Sequence, residues 1–305
     1  MTTQSNAFPD SSVESRVMAP AVTAATRPFS WSVRRELWEN RSIYIAPLAV
    51  AGLALLAFLV GAFAGIWEKA LRLDPEHPQA PFDLVAGLMM GTGIIVTVFY
   101  CLDALHSERR DRSILFWKSL PVSDLTTVAA KASIPLVVVP LLTFAVTVAM
   151  HWIMLLLSSV VLLAGGQSVA TLWTHLPVVQ MWLLLLYHLL TAHALWPAPV
   201  YCWLLLVSGW ARRAALVWAL LPVVAIAGFE KLAFHTSHFA TLVGQRFIGD
   251  VPAAAHTGPH MFPTNPMVHI TPGQFLVAPG LWIGLAIAAA FLAVAVRLRR
   301  SQGPV

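Results

Sequence analysis

Polar and apolar positions along this chain fall into long blocks, not into a strict alternation. Six blocks are apolar over roughly the 20 residues that a membrane-crossing helix needs. They cover about residues 43–67, 84–102, 132–164, 177–208, 214–234 and 275–296. The third is 33 residues long, more than one upright crossing uses. Pro135 and Pro140 predict a kink in its first part, which then tilts or runs through the headgroup layer. Pro197 and Pro199 stand near the end of the fourth block, and Glu230 and Lys231 close the fifth. Barrel strands would alternate over ~10 residues, and these blocks do not. The pattern predicts an all-α polytopic membrane protein with six transmembrane helices.

Charge then gives the blocks a direction. With the N-terminus inside, the cytoplasmic segments hold 15 of the 19 Lys and Arg residues, and the outer segments hold Lys69, Arg72, Lys231 and Arg246. By the positive-inside rule both termini are expected in the cytoplasm. The same asymmetry accounts for the net charge of +5 and the pI near 9.6 without nucleic acid. Composition agrees: 58% of the 305 residues are hydrophobic and 11% charged, against about 25% charged in a soluble domain. Residues 1–28, rich in Ser, Thr and Ala and without an apolar core, read as a disordered cytoplasmic tail. Residues 29–298 form the membrane domain, with an inner loop at 103–131 and an outer loop at 235–274, and 299–305 is a cytoplasmic tail. Ahead of the first block, Phe29, Val33, Leu37 and Trp38 recur at helical spacing, predicting a helix on the inner membrane surface or a plain basic flank.

Candidate chemistry is sparse. Cys101 and Cys202 each sit inside an apolar block and form no metal or disulfide pattern. No GxxxxGK[ST], HExxH or GxSxG motif occurs, so the chain carries no P-loop of its own and no common hydrolase signature. The pair His235 and His238 has metal-compatible spacing but lacks carboxylate or cysteine company. His151, His188 and His193 fall within the third and fourth blocks, where an ionisable group either serves a pathway or hydrogen-bonds between helices as a neutral ring. Asp103 and His106, three apart, are spaced to pair near the inner end of the second block. Five prolines break the outer loop, which re-enters the membrane or caps it.

The stretch SERRDRSILFWKSLPVSD, residues 107–124, interrupts this hydrophobic chain with charge and aromatic rings. Asp111 is placed to N-cap a short helix in which Ile114, Trp117 and Leu120 share a face, with Phe116 beside them. Pro121 ends that helix, and Ser123 or Asp124 caps the next. Such an element docks another protein or lies on lipid headgroups, and the residues alone leave both open. ERRDRSILFWKSLPVSDLTTVAAK (108–131) resembles the loop between spans two and three of bacterial ABC-2-type transporter permeases. The resemblance extends to RRELWENRSIYIAP (34–47), VSGWARRAALVWALLP (207–222) and GFEKLAFHTSHFATLVGQRFIG (228–249), and so to most of residues 30–298.

The resemblance implies a permease subunit in a bacterial inner membrane, with the ABC-2-type permease architecture. It implies a coupling helix at Arg109, Arg110, Asp111, Arg112, Phe116, Trp117, Leu120 and Pro121, fitting a cleft on a separate ATP-binding subunit. ATP and Mg would be held by that partner, and no cofactor or metal by this chain. A second permease half, identical or related, would complete a twelve-span unit that moves substrate, as export, between the halves. Gly209 to Arg213 would make a smaller second contact. Two other classes stand beside this one. One is a non-transporting membrane scaffold or sensor that docks a cytoplasmic protein through 107–124. The other is an intramembrane enzyme resting on His188, His193 and Asp103.

Overall fold

The computed structural model describes residues 26–65, 79–119, 122–166, 168–248 and 272–301. Among them the chain is all helical, with no strand. α1 (Thr26–Glu39) precedes α2 (Ser42–Phe63); α3 (Ala80–Asp103) continues through a turn at Ala104 and Leu105 into α4 (His106–Arg110), and α5 (Ser113–Ser119) follows. α6 (Asp124–Ser133), a π-helical stretch (Ile134–Val138) and α7 (Val139–Ala164) make one rod. The short α8 (Ala170–His175) leads to α9 (Val178–His188), a second π-helical stretch (Leu189–Leu195) and α10 (Ala198–Trp210). α11 (Ala215–Phe234), α12 (His238–Ile248), α13 (Pro272–Val277) and α14 (Pro279–Ser301) come last. Six helices are long and apolar enough to cross a membrane: Ser42–Phe63, Ala80–Arg110, Asp124–Ala164, Val178–Leu195, Ala215–Phe234 and Pro279–Ser301. The chain is thus a multi-pass transmembrane protein.

Two of these rods depart from the apolar blocks, for identifiable reasons. The third starts at Asp124, well before the apolar block, because the Ser123 hydroxyl accepts the Thr126 amide at 3.0 Å and caps a helix that buries Lys131. Pro135 widens this rod into a π turn without breaking it. Its absent N–H would have gone to the Lys131 carbonyl, which takes the Ile134 amide instead. The fourth block is interrupted at Trp196 and Pro197. There the Val200 amide goes back to Pro197 O at 2.9 Å, which leaves Trp196 O for another donor.

That donor comes from α12. Glu230 accepts the Thr236 hydroxyl at 2.9 Å and the amides of His238 and Phe239 at 2.7 and 2.8 Å, so it caps α12 and folds it back against α11. Arg246 on α12 then donates to Trp196 O at 3.2 Å and Gly280 O at 2.7 Å, its guanidinium carbon 4.3 Å from the Trp196 ring centroid. A Cβ at Gly284 would stand 2.7 Å from Arg246 Nη1, so glycine is what lets the guanidinium lie on α14. Gly284 is about 22 Å of helix from Arg299, short of the ~30 Å apolar core of a bilayer. α12 therefore returns into the bundle.

The two largest apolar cores lie at different levels of the rods. One, around Ile43, Tyr100, Cys101, Ile134, Tyr201 and Leu205, lies toward the end that carries α1, α4 and α5. The other, around Phe58, Phe82, Met89, Met150 and Met154, lies away from it. The first end is the charged end of the bundle.

Candidate functional site

The charged end begins with α1. Val33 and Leu37 pack against the nearby core, and Glu36 falls between them on the same helix face. The residue is 1% exposed. Its two oxygens accept from Lys131 Nζ at 2.8 and 3.0 Å, and they also accept from the Tyr100 hydroxyl at 3.0 Å and from Arg35 Nη2 at 2.9 Å. Glu108, 4% exposed, faces the same cations from α4. Arg35 Nη2 lies 2.6 Å and Lys131 Nζ 3.1 Å from Glu108 Oε1, while Arg299 Nη1 donates to Oε2. Arg299 Nε also donates to Asp124 at 3.0 Å. Three carboxylates and three cations, from α1, α4, α6 and α14, thus share one buried cluster.

Desolvating each charge costs several kcal/mol, and only mutual pairing with full hydrogen bonding offsets that cost. Lys131 bridges both glutamates, and Arg35 does the same from the side nearer water. Burial alone would lower the Arg35 pKa, but the Glu36, Glu108 and Glu39 carboxylates more than reverse it and leave it raised. Glu39, at the cluster's edge, is raised above the ordinary carboxylate value by burial, against the pull of Arg35. Removing one member leaves the others unbalanced, so the four segments hold together or separate together.

The loop after α3 is fastened on its other side as well. Arg109 is buried and donates to Gly209 O at 2.6 Å; His106 Nδ1 donates to Ala211 O at 3.1 Å; the Leu105 amide donates to Ser208 Oγ at 3.3 Å. These contacts change three expectations. Arg109 is a bolt between α4 and the end of α10, not an outward docking residue. His106 turns to the Ala211 carbonyl and not to Asp103. Asp111 does not cap the next helix: it ends α4 and pairs with Arg110 at 3.2 Å, both exposed.

Arg112, at φ 58°, then occupies the left-handed region and turns the chain into α5. Ile114 points inward, while Leu115 and Phe116 are 58% and 60% exposed. Arg110, Asp111, Arg112 and Phe116 therefore lie outward as a docking role needs, with Leu115 beside them. The Trp117 side chain, Leu120 and Pro121 lie outside the described residues. A narrow crevice runs beneath, lined by Leu105, Arg109, Ile114, Gly209, Ala295 and Arg299.

The membrane histidines do not converge. His151 donates from Nε2 to Phe82 O at 3.0 Å and accepts the Trp182 indole N–H at Nδ1 at 3.3 Å, which fixes a neutral ring joining three helices. His188 Nδ1 donates to Leu184 O at 2.9 Å within its own helix. His193 lines a small crevice with Thr97, Thr143 and Tyr201, bounded by both π-helical stretches. Its Nδ1 has no hydrogen-bond partner among the described residues. Neither His188 nor Asp103 lines that crevice. Among the described residues no three His, Cys, Asp or Glu side chains gather as a metal site.

Glu36, Glu108, Lys131 and Arg299 were not singled out by the sequence as a site. The only signal for them is an acid embedded in each of two basic segments that flank apolar blocks. The chain matches no protein-family model, no curated protein and no solved structure.

Proposed function

We propose that the chain is the membrane subunit of an ABC-2-type ATP-binding cassette transporter, which couples ATP hydrolysis on a separate subunit to export across a bacterial inner membrane. The observation that carries this reading is the double fastening of residues 106–119. Outward, the loop offers Arg110, Asp111, Arg112, Leu115 and Phe116; inward, Glu108 and Arg109 bind it to α1, α6, α10 and α14. A force on α5 would reach four helical segments, two of them parts of spans, through buried charge pairs and close backbone contacts. The motif resemblance and the basic bias of this end support its facing the cytoplasm.

In this reading ATP and Mg belong to the partner, a second permease half completes the pathway, and coupling arises because the partner binds two membrane conformations with different affinity. The test is co-expression with a P-loop ATP-binding subunit from a neighbouring reading frame, which this reading expects to exist. Phe116→Ala and Arg112→Glu should insert normally and lose either the co-purifying ATPase or substrate-stimulated ATP turnover. A partner retained at wild-type level with full transport in both variants contradicts the reading. Retention of a partner that hydrolyses no ATP would instead indicate the scaffold.

A further inference from the structure

α1 has a second face, turned away from the charge cluster. Trp31, Arg34 and Trp38 recur at three- and four-residue steps and share it, while Val33, Glu36 and Leu37 occupy the opposite side. Trp31 and Trp38 are 63% and 65% exposed. The Arg34 guanidinium carbon lies 5.8 Å from the Trp31 ring centroid and 5.0 Å from that of Trp38, within cation–π range of both. Arg35, its neighbour in sequence, pairs with Glu36, Glu39 and Glu108. Arg34 meets no carboxylate among the described residues. A guanidinium held by its faces keeps its in-plane N–H donors available for an oxyanion.

Position selects the oxyanion. α1 ends at Glu39 and the first span starts at Ser42, so α1 lies at the margin of the apolar slab. Indole rings concentrate at that depth, where an amphipathic helix rests among headgroups. We infer that the Trp31–Arg34–Trp38 face binds an anionic phospholipid headgroup. The phosphodiester takes the Arg34 N–H groups, and the indoles cover the glycerol and upper acyl region. An anionic lipid is favoured over a zwitterionic one because a choline ammonium already compensates the phosphate and repels Arg34. This inference needs the chain to be a membrane protein and does not depend on an ATPase partner. Its consequence is mechanical: the same helix joins the leaflet through Arg34 and the buried cluster through Glu36.

The experiment uses the full chain, delipidated in detergent and titrated with phosphatidylglycerol or phosphatidylcholine, with bound lipid counted by native mass spectrometry. The wild type should bind phosphatidylglycerol more tightly. Arg34→Gln should weaken that binding about fivefold, the share expected of one arginine at an anionic surface. It should leave phosphatidylcholine binding and the melting temperature unchanged, because Arg34 touches no member of the cluster. Trp31→Leu combined with Trp38→Leu should lose selectivity in the same direction, and Arg300→Gln should not. Equal phosphatidylglycerol affinity in wild type and Arg34→Gln overturns the inference. So does a variant that keeps its lipid and loses a bound soluble protein, which would make this face a protein dock.

Discussion

The two ends of the bundle are held by different kinds of contact. At the charged end, three carboxylates and three cations from four segments pair with one another, and Glu36, Glu108, Lys131 and Arg299 among them are buried. At the other, one guanidinium, Arg246, rests on two backbone carbonyls and an indole, with no carboxylate beside it among the described residues. Opening the first would strand several charges at once. Opening the second exchanges neutral acceptors for other neutral acceptors. The charged end should therefore move as a block, while the α12 end can part at modest cost, and this difference is what an element driven from one side requires.

The largest effect is expected at Lys131, which bridges both buried glutamates. Lys131→Met leaves Glu36 and Glu108 short of a cation and should cost about 3–5 kcal/mol. It would be seen as a fall in melting temperature and in folded yield in detergent. Adding Glu36→Gln should recover part of the loss. A single variant as stable as the wild type would mean that the charged end is not a block.

Adjacent arginines sharpen the comparison further. Arg299 is buried on Glu108 and Asp124, whereas Arg300 is exposed. Arg299→Gln should cost about 3 kcal/mol, and Arg300→Gln less than about 0.5 kcal/mol. Similar melting temperatures for the two would contradict the assignment.

At the far end, Gly284→Ala should drive the guanidinium off α14 with the fold intact, because its Cβ would stand 2.7 Å from Arg246 Nη1. The local loss of one cation–π contact and of a hydrogen bond or two is about 1–2 kcal/mol. A single cysteine at Val243, half-buried on the face that carries Arg246, should then react with a thiol reagent about tenfold faster, as that free energy implies. An unchanged labelling rate would show that α12 is held by something else.

Sequence pattern carried the spans well, because one variable, apolar length, decides whether a helix can cross a bilayer. The interruption at Trp196 was not read: Pro197 and Pro199, which cannot donate, stood near the end of one unbroken apolar block, and the span ends at Leu195. α1 was half legible: Val33 and Leu37 share a face as their spacing implies, but that face meets protein, while Trp38 turns outward with Trp31. The cluster was not legible. Arg109 and Arg110, or Arg299 and Arg300, are identical letters side by side, and only tertiary contact decides which one is buried. Counting them as orientation signals captures their sum and misses the individual pairings. Asp111 was misplaced for a related reason. A helix start can be read from Asp at the boundary, but the left-handed turn at Arg112 shifts that boundary by one residue.

Glu108 ties the 106–119 loop to the spans through shared charge. A double-mutant cycle of Glu108→Gln with Arg299→Gln, read as unfolding free energy in detergent, tests it directly. Residues in one buried network should couple by about 2 kcal/mol, with the double variant less destabilised than the sum of the singles. Additivity within about 0.5 kcal/mol would contradict the claim and leave the loop resting on the bundle without being keyed into it.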